Sequence, residues 1–417
     1  MAQLSDDCFA FGGPMMSVDE AVGIIAARVA KVEGIETISL DEADGRVLAL
    51  DIAAPLPLPP FTNSAVDGYA VASRDLPKAV EQAFAITGRV AAGSLAKPIE
   101  PGNAMRIFTG APMPDGADTV FMQEDVRLEQ GTAVLPAGLK SGANVRSAGE
   151  DIPLGHVALK AGRRLRPQDI AVMAAFGLTQ VDVVRRIRVA VFSTGDELVS
   201  PGNARAASQL FDSNRFMLIA MLRRLGCDVS DAGIFRDERA SLANALKEVA
   251  GKHDLLLTTG GVSTGEEDHV KAAVESAGSL VLWRMAIKPG RPVAMGIVAG
   301  TPLIGLPGNP VASFVTFVHV VRPVILALSG AAQEPLIPMP VRAAFSYKKK
   351  VSRREYVRVS LRRGNDGALE AVKFPREGAG LLSSLIETDG LVELGEDATQ
   401  VSPGQTVGFL SYAHLIN

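Results

Sequence analysis

Cysteine and histidine are scarce: the 417-residue chain has two of the first and five of the second. Cys8 and Cys227 lie far apart, so neither a disulfide framework nor a Cys-rich metal site can be built within one chain, which suits a reducing compartment. There is no excess of positive charge either. Lys plus Arg number 42 against 46 Asp plus Glu, for a net charge of −4, which argues against a general nucleic-acid or anionic-membrane binder. The N-terminus, MAQLSDDCFAFGG, has two early aspartates and no long apolar run, so it does not read as a secretory signal. The longest apolar stretch, Val311–Leu328, contains His319, Arg322 and Pro323 and is short for a membrane span. It reads as a buried helix, and the protein as cytoplasmic. No zinc signature, Walker A pattern or Ser/His/Asp arrangement is present. His269, beside Asp268, is the one histidine near a candidate site.

What is present is a long globular chain. Hydrophobic residues make up 47% and charged residues 21%, ordinary for folded protein, and the length calls for two to four domains. Ser17-Val18-Asp19-Glu20 is a capping box opening a helix with Val18, Ala21, Val22, Ile25 and Val29 at helical spacing. Short apolar runs broken by Gly and Pro over 65–146 read as a β-rich unit, and a helical pattern returns near Arg166–Gln180. From 186 to 330 apolar strands alternate with helices: Ile187–Ser193, the helix Asp212–Leu225, Val229–Phe235, the helix Glu238–Ala250, Asp254–Thr259 and the helix Glu266–Ala277. Further strands fall near 280–287, 293–298 and 302–306, and Pro310 starts the last helix. After a linker at Gly330–Pro340, alternation such as Tyr356–Leu361 indicates a β domain or barrel. The fold class expected is multidomain α/β plus β. It comprises a split N-terminal helical domain (15–55 and 147–185), a β-rich insertion (56–146), a central doubly wound α/β domain (186–330) and a C-terminal β-barrel-like domain (338–417).

Ligands of open α/β sheets bind beyond the carboxyl ends of the strands. Three acidic loops fall at that edge: Ser193-Thr194-Gly195-Asp196-Glu197, Arg236-Asp237, and Gly260 through Asp268. Amides around Gly260–Gly265 form a candidate anion nest, and carboxylates beside a phosphate call for a hard cation, with Mg²⁺ the common solution. Any one of these loops taken alone is more simply a helix cap; three at one edge favour a site. Arg284, Lys288 and Arg291 surround a Pro-Gly turn as a candidate oxyanion site, against the plainer reading of a solvated turn. Gly305–Pro310 feeds a helix N-terminus. Pro59–Ala70, Phe108–Pro114 and Asn144–Asp151 are dense in polar and turn residues without deciding a chemistry.

These stretches resemble the MoeA family of molybdopterin molybdenumtransferases, including the C-terminal domain of gephyrin. The resemblance rests on PPFTNSAVDGYAV, RIFTGAPMPDGADTVFMQE, NVRSAGEDI, VAVFSTGDELVSPG, FDSNR, GGVSTGEEDHVK, KPGRP and GLPGNPVAS, in family order over residues 15–412. It implies Mg²⁺-dependent insertion of molybdenum from molybdate into adenylylated molybdopterin, with release of AMP. The central domain would then be molybdopterin-binding. The resemblance further implies a homodimer with the site between subunits, and molybdopterin adenylyltransferase and recipient molybdoenzymes as further partners; no nucleic acid or membrane is expected. Carried over by motif, Asp67, Asp151, Glu197, Asp237 and Asp268 become the candidate catalytic acids, with Glu197, Asp237 and Asp268 at the cation and Asp151 or Asp67 as base. Asn63, Thr109, Arg146, Ser193, Thr194, Gly260, Gly261, Ser263, Arg284, Lys288, Arg291, Pro307 and Pro310 become the candidate substrate contacts.

Three positions depart from the pattern: Val66 stands where Met is frequent, Arg284 where Lys is frequent, and Ala379 where relatives commonly have Ser. The competing expectations are a molybdopterin adenylyltransferase, which is a single α/β domain, and a non-catalytic gephyrin-like scaffold. The retained acids argue against the scaffold.

Overall fold

The computed structural model describes residues 15–95, 97–235, 239–260, 278–332 and 334–416. The helix expected at Glu266–Ala277 lies outside them. Ser17 caps the first helix, Val18–Arg28, as the capping box predicts: the Ser17 N–H donates to Glu20 Oε2 at 2.7 Å and the Glu20 N–H to Ser17 Oγ at 3.2 Å. Its buried positions, Val18, Ala21 and Ile25, join the core of the central α/β unit, and it packs on the helix Arg322–Leu328. The rest of the N-terminal region is split as expected. Strand Ile35–Ser39 pairs antiparallel with Gln180–Val184, and Ile52–Ala53 with Val157–Leu159, so two chain segments close on each other around the insertion. The insertion holds a six-stranded sheet that includes Gly68–Val71 and Asn103–Ile107.

In the central sheet the spatial order is Asp228–Phe235, Arg188–Thr194, Leu255–Thr259, Thr301–Leu306, Pro292–Val298, Gly278–Arg284. The first four strands are parallel, and the last two pairings are antiparallel, so only Pro292–Val298 runs against the rest. Continuous apolar runs suit strands covered on both faces. Val189 and Val191 face one core with the helix Asn214–Arg224, while Ala190 and Phe192 face another with the helix Arg239–Ala250. Because the four strands are parallel, Thr194, Thr259 and Leu306 end on one edge and the loops after them are neighbours.

Pro310–Leu328 is long and apolar enough to cross a membrane, yet 89% of that window is buried inside the protein. A π turn at Phe317–Val321 breaks its α-helical run just before Pro323, which has no N–H to return to the preceding turn. Beyond the linker, Arg354–Arg363 pairs with both Leu369–Lys373 and Gly390–Leu394, and Met339–Ala343 and Thr406–Ser411 complete a closed five-stranded barrel. Alternate residues Val357 and Val359 fill its interior with Val341, Ala371, Val392 and Phe409. The intervening residues of that strand, Tyr356 and Arg358, face the other way.

Candidate active site

Glu197, Gly260, Pro307, Gly308 and Asn309, from the loops after three neighbouring parallel strands, form one wall of a cavity of about 770 Å³. Tight backbone packing brings these loops together. Gly260, at φ +85°, leaves room for the Thr194 carbonyl, which a Cβ there would meet at 2.7 Å, and its N–H donates to the Leu306 carbonyl at 3.1 Å. Asn214, in the FDSNR stretch, donates from Nδ2 to the Gly308 carbonyl at 2.7 Å and to Thr259 Oγ1 at 3.0 Å, and that hydroxyl donates to the Pro307 carbonyl at 3.2 Å. A helix residue thus fixes the shape of the Pro307–Asn309 turn.

The opposite wall is basic. Lys288 and Arg291 come from the α/β unit, and Arg353, Arg358, Lys373 and Arg376 from the barrel, with Tyr347, Phe374, Glu377 and Ala379 between them. Strand Ile287–Lys288 pairs parallel with Arg354–Glu355, which stitches the two units together at the cavity floor. The Lys288 ammonium donates to Tyr347 Oη at 3.1 Å and lies 3.4 Å from Glu355 Oε2. Burial works against its charge, but the Tyr347 hydroxyl and Glu355 outweigh it and raise the Lys288 pKa. Lys288 and Lys373 both approach the Tyr347 ring, at 5.6 and 5.5 Å from its centroid. Arg358 is lowered by burial, yet a guanidinium stays charged at any physiological pH. Its Nη1 donates to the Gly378 carbonyl at 2.6 Å and to Ser384 Oγ at 3.1 Å. The Ala379 carbonyl accepts from the Val311 N–H at 3.0 Å, which holds the barrel loop against the first turn of the Pro310 helix.

Of the residues expected from sequence, Glu197, Gly260, Lys288, Arg291 and Pro307 line this one cavity. Pro310 occupies the first turn of the helix that follows Asn309. Ser193 and Thr194 end their strand fully buried, and among the described residues their hydroxyls have no hydrogen-bond partner. Arg284 is exposed and does not line the cavity; its main-chain carbonyl accepts from the Met16 N–H at 2.9 Å. Asp237, Gly261, Ser263 and Asp268 lie outside the described residues.

The remaining candidates form a second constellation. Asn63 stands opposite Arg146 in a short antiparallel pair, and Asp67 accepts from the Thr109 N–H at 2.8 Å and hydroxyl at 2.7 Å. These two bonds hold the Asp67 carboxyl below the usual carboxylate range. Asp151 donates its N–H to the Leu58 carbonyl at 3.0 Å. None of these residues lines the basic cavity of the same copy. Sequence reasoning did not single out Arg353, Arg358, Lys373 or Tyr347. For Arg358 the one available signal was the alternation in REYVRVSLRR, and a cation on the outer face of a barrel strand reads the same whether it meets water or a partner domain.

As to the cation, no group of three or more His, Cys, Asp or Glu side chains placed to hold a metal ion occurs among the described residues. Glu197 is nevertheless a fitting donor. It lines the cavity from the loop that follows the strand ending in Ser193 and Thr194, whose buried hydroxyls have no partner among the described residues, and Mg²⁺ is commonly held by one or two carboxylates plus substrate phosphates.

The chain matches three family models in order: the MoeA N-terminal region (domain I and II) over residues 16–177, the probable molybdopterin binding domain over 190–327, and the MoeA C-terminal region (domain IV) over 340–412. It is 36% identical over 405 residues to a molybdopterin molybdenumtransferase of Haemophilus influenzae, covering 96% of this chain and 100% of that protein. A protein of the same name from Nostoc is 35% identical over 408 residues, covering 94% and 93%. A crystal structure of the molybdopterin biosynthesis moeA protein from Pyrococcus horikoshii superposes with a TM-score of 0.81 at 27% identity, covering 96% of this chain and 100% of that one.

Proposed function

The chain belongs to the MoeA family, and we propose that the basic cavity between its α/β unit and barrel is where molybdate is held for insertion into molybdopterin. The protein is a transferase of molybdenum-cofactor biosynthesis, a molybdopterin molybdenumtransferase. One observation carries the assignment of the cavity: six cations, Lys288, Arg291, Arg353, Arg358, Lys373 and Arg376, surround a space that also meets the strand-end loops of the molybdopterin-binding-like unit. An oxyanion of charge −2 is matched by guanidinium and ammonium donors in such a space, and charge-assisted hydrogen bonds are the strong ones. The Glu197–Gly260–Pro307 wall suits the phosphate end of the pterin substrate, with the start of the Pro310 helix beside it.

In this reading the substrate is adenylylated molybdopterin, and insertion is coupled to cleavage of its phosphoanhydride with release of AMP. Glu197, with Asp237 and Asp268 added on sequence grounds, would hold Mg²⁺, which supplies charge neutralisation at the phosphates. Lys288 and Arg291 hold the oxyanion, Arg358 closes its barrel side, and the Pro307–Asn309 turn, shaped by Asn214, sets the depth of the pocket. Asp67, kept ionised by Thr109, belongs to the constellation that faces the cavity of a second copy, so the working unit is a homodimer. The barrel forms half of the cavity wall, which favours this reading over a single-domain adenylyltransferase.

The decisive assay supplies adenylylated molybdopterin, molybdate and Mg²⁺ and follows AMP together with metallated cofactor. Both should form in step. No product above background, with formation of the adenylylated pterin from ATP and molybdopterin, would replace the insertase by the adenylyltransferase.

A further inference from the structure

A carboxylate lies buried beneath the basic cavity. Glu355 is 0% exposed, and both its oxygens are engaged: Arg353 Nε donates to Oε1 at 2.6 Å, and Tyr347 Oη donates to Oε2 at 2.7 Å. The Lys288 ammonium stands 3.4 Å from that second oxygen and donates to the same Tyr347 hydroxyl at 3.1 Å. A chain of contacts therefore runs from the buried carboxylate through the phenol to a cation that faces the cavity. Arg353 satisfies only the first oxygen of this buried carboxylate. Here the second oxygen is turned to the two groups that meet the ligand space.

We propose that Glu355 is a positioning residue of the oxyanion subsite, fixing the Lys288 ammonium through Tyr347 and weakening the positive field of the cavity enough that the bound anion can move on. This rests on the reading of the cavity as the molybdate site. Three facts support it. Glu355 and Lys288 are register partners in the parallel pairing that joins barrel to α/β unit, so their separation is set by main-chain hydrogen bonds across that boundary. Both Lys288 and Lys373 approach the Tyr347 ring, at 5.6 and 5.5 Å from its centroid, so the phenol contacts the two ammonium groups that line the cavity. Finally, Glu377 pairs with Lys373 at 2.9 Å, and among the described residues Glu355 is the carboxylate within ion-pair distance of Lys288.

Glu355→Gln keeps the shape and removes the charge. The test titrates full-length protein with sodium molybdate by calorimetry and then measures turnover with adenylylated molybdopterin. The expected result is molybdate bound roughly 10-fold tighter, because one opposing charge has gone from a poorly screened site, together with a kcat lowered by a similar factor. A merely structural role would instead weaken binding and slow turnover together; that outcome, or unchanged constants, overturns the proposal. Should Glu355→Gln fail to fold, Tyr347→Phe decides. It leaves the Arg353–Glu355 pair intact, and its kcat should fall several-fold with molybdate affinity held within about 2-fold; an unchanged kcat overturns the proposal. A wild-type protein that neither binds molybdate nor forms metallated product overturns the assignment of the cavity itself, whatever the variants do.

Discussion

Asp67 accepts two hydrogen bonds from Thr109, one from its N–H at 2.8 Å and one from its hydroxyl at 2.7 Å, although the residues lie in separate loops. Both bonds favour the charged carboxylate and lower its pKa. A depressed carboxyl adds to stability above its unfolded pKa and loses that contribution as pH falls through its folded value. Asp67 should therefore stay ionised below the ordinary carboxylate range. In Thr109→Val, which removes the hydroxyl, its titration should move up toward the ordinary value, as followed by carboxyl NMR. An unmoved midpoint would mean that the hydroxyl does not govern Asp67.

Arg358 is the barrel cation whose removal tests the cavity most directly. Charge-assisted hydrogen bonds contribute about 1.5–3 kcal/mol, so Arg358→Met should weaken molybdate binding by roughly 10- to 100-fold. Calorimetric titration reads this, and an unchanged Kd would remove the outer face of the barrel from the oxyanion site.

Ala379 lines the same cavity with its carbonyl held by Val311, so its backbone position survives a change of side chain. Ala379→Ser adds a donor at the wall. A neutral hydrogen bond contributes about 0.5–1.5 kcal/mol, so molybdate should bind ~2- to 10-fold tighter. Equal affinity would show that the added hydroxyl does not reach the oxyanion.

If the Asp67 constellation and the basic cavity complete one site only between two copies, two inactive variants should complement. Mixed dimers of Asp67→Ala and Lys288→Ala, formed by reassociation at equal ratio, contain one intact site in half the molecules. Activity should recover to roughly a quarter of wild type. No recovery, with dimers demonstrably exchanged, would place both sets within one copy.

Asp254 anchors the start of a central strand. It accepts from Arg185 Nη1 at 2.6 Å, from Arg188 Nη2 at 3.2 Å and from the Arg188 N–H at 2.8 Å. Burial raises its pKa, but the two arginines and the amide outweigh it and hold the carboxyl far below the usual range. This contribution is complete above the unfolded carboxylate pKa and is lost only as pH falls through the depressed folded value. Asp254→Ala should cost ~3 kcal/mol at neutral pH, read as a lower urea midpoint, and the difference from wild type should shrink in strong acid.

The elements that carry the site were legible where local physics specifies them. The apolar runs at Val189–Phe192 and Leu255–Leu257 read as buried strands, and Ser17 with Glu20 writes its own helix start. Gly260 and the prolines at 307 and 310 announce turns at the strand ends. The barrel cations were not legible, because alternation in Arg354–Arg363 says which residues leave the barrel interior but not what they meet outside it. Glu355 shows the limit most sharply. An acid in a strand reads as solvent-facing, yet this one is buried where its near neighbour Arg353 meets Tyr347 and Lys288 from two other strands.

The amino-acid sequence by itself determined the described strands and helix starts and the family, because each rests on contacts between residues close along the chain or on motifs read in order. Tertiary structure alone decided that the KPGRP turn and the barrel share one cavity, that Arg358 and Lys373 complete it, and that Arg284 stays outside. Those outcomes depend on the pairing of Lys288 with Glu355 across a domain boundary, and no local propensity encodes which distant strand a two-residue strand will join.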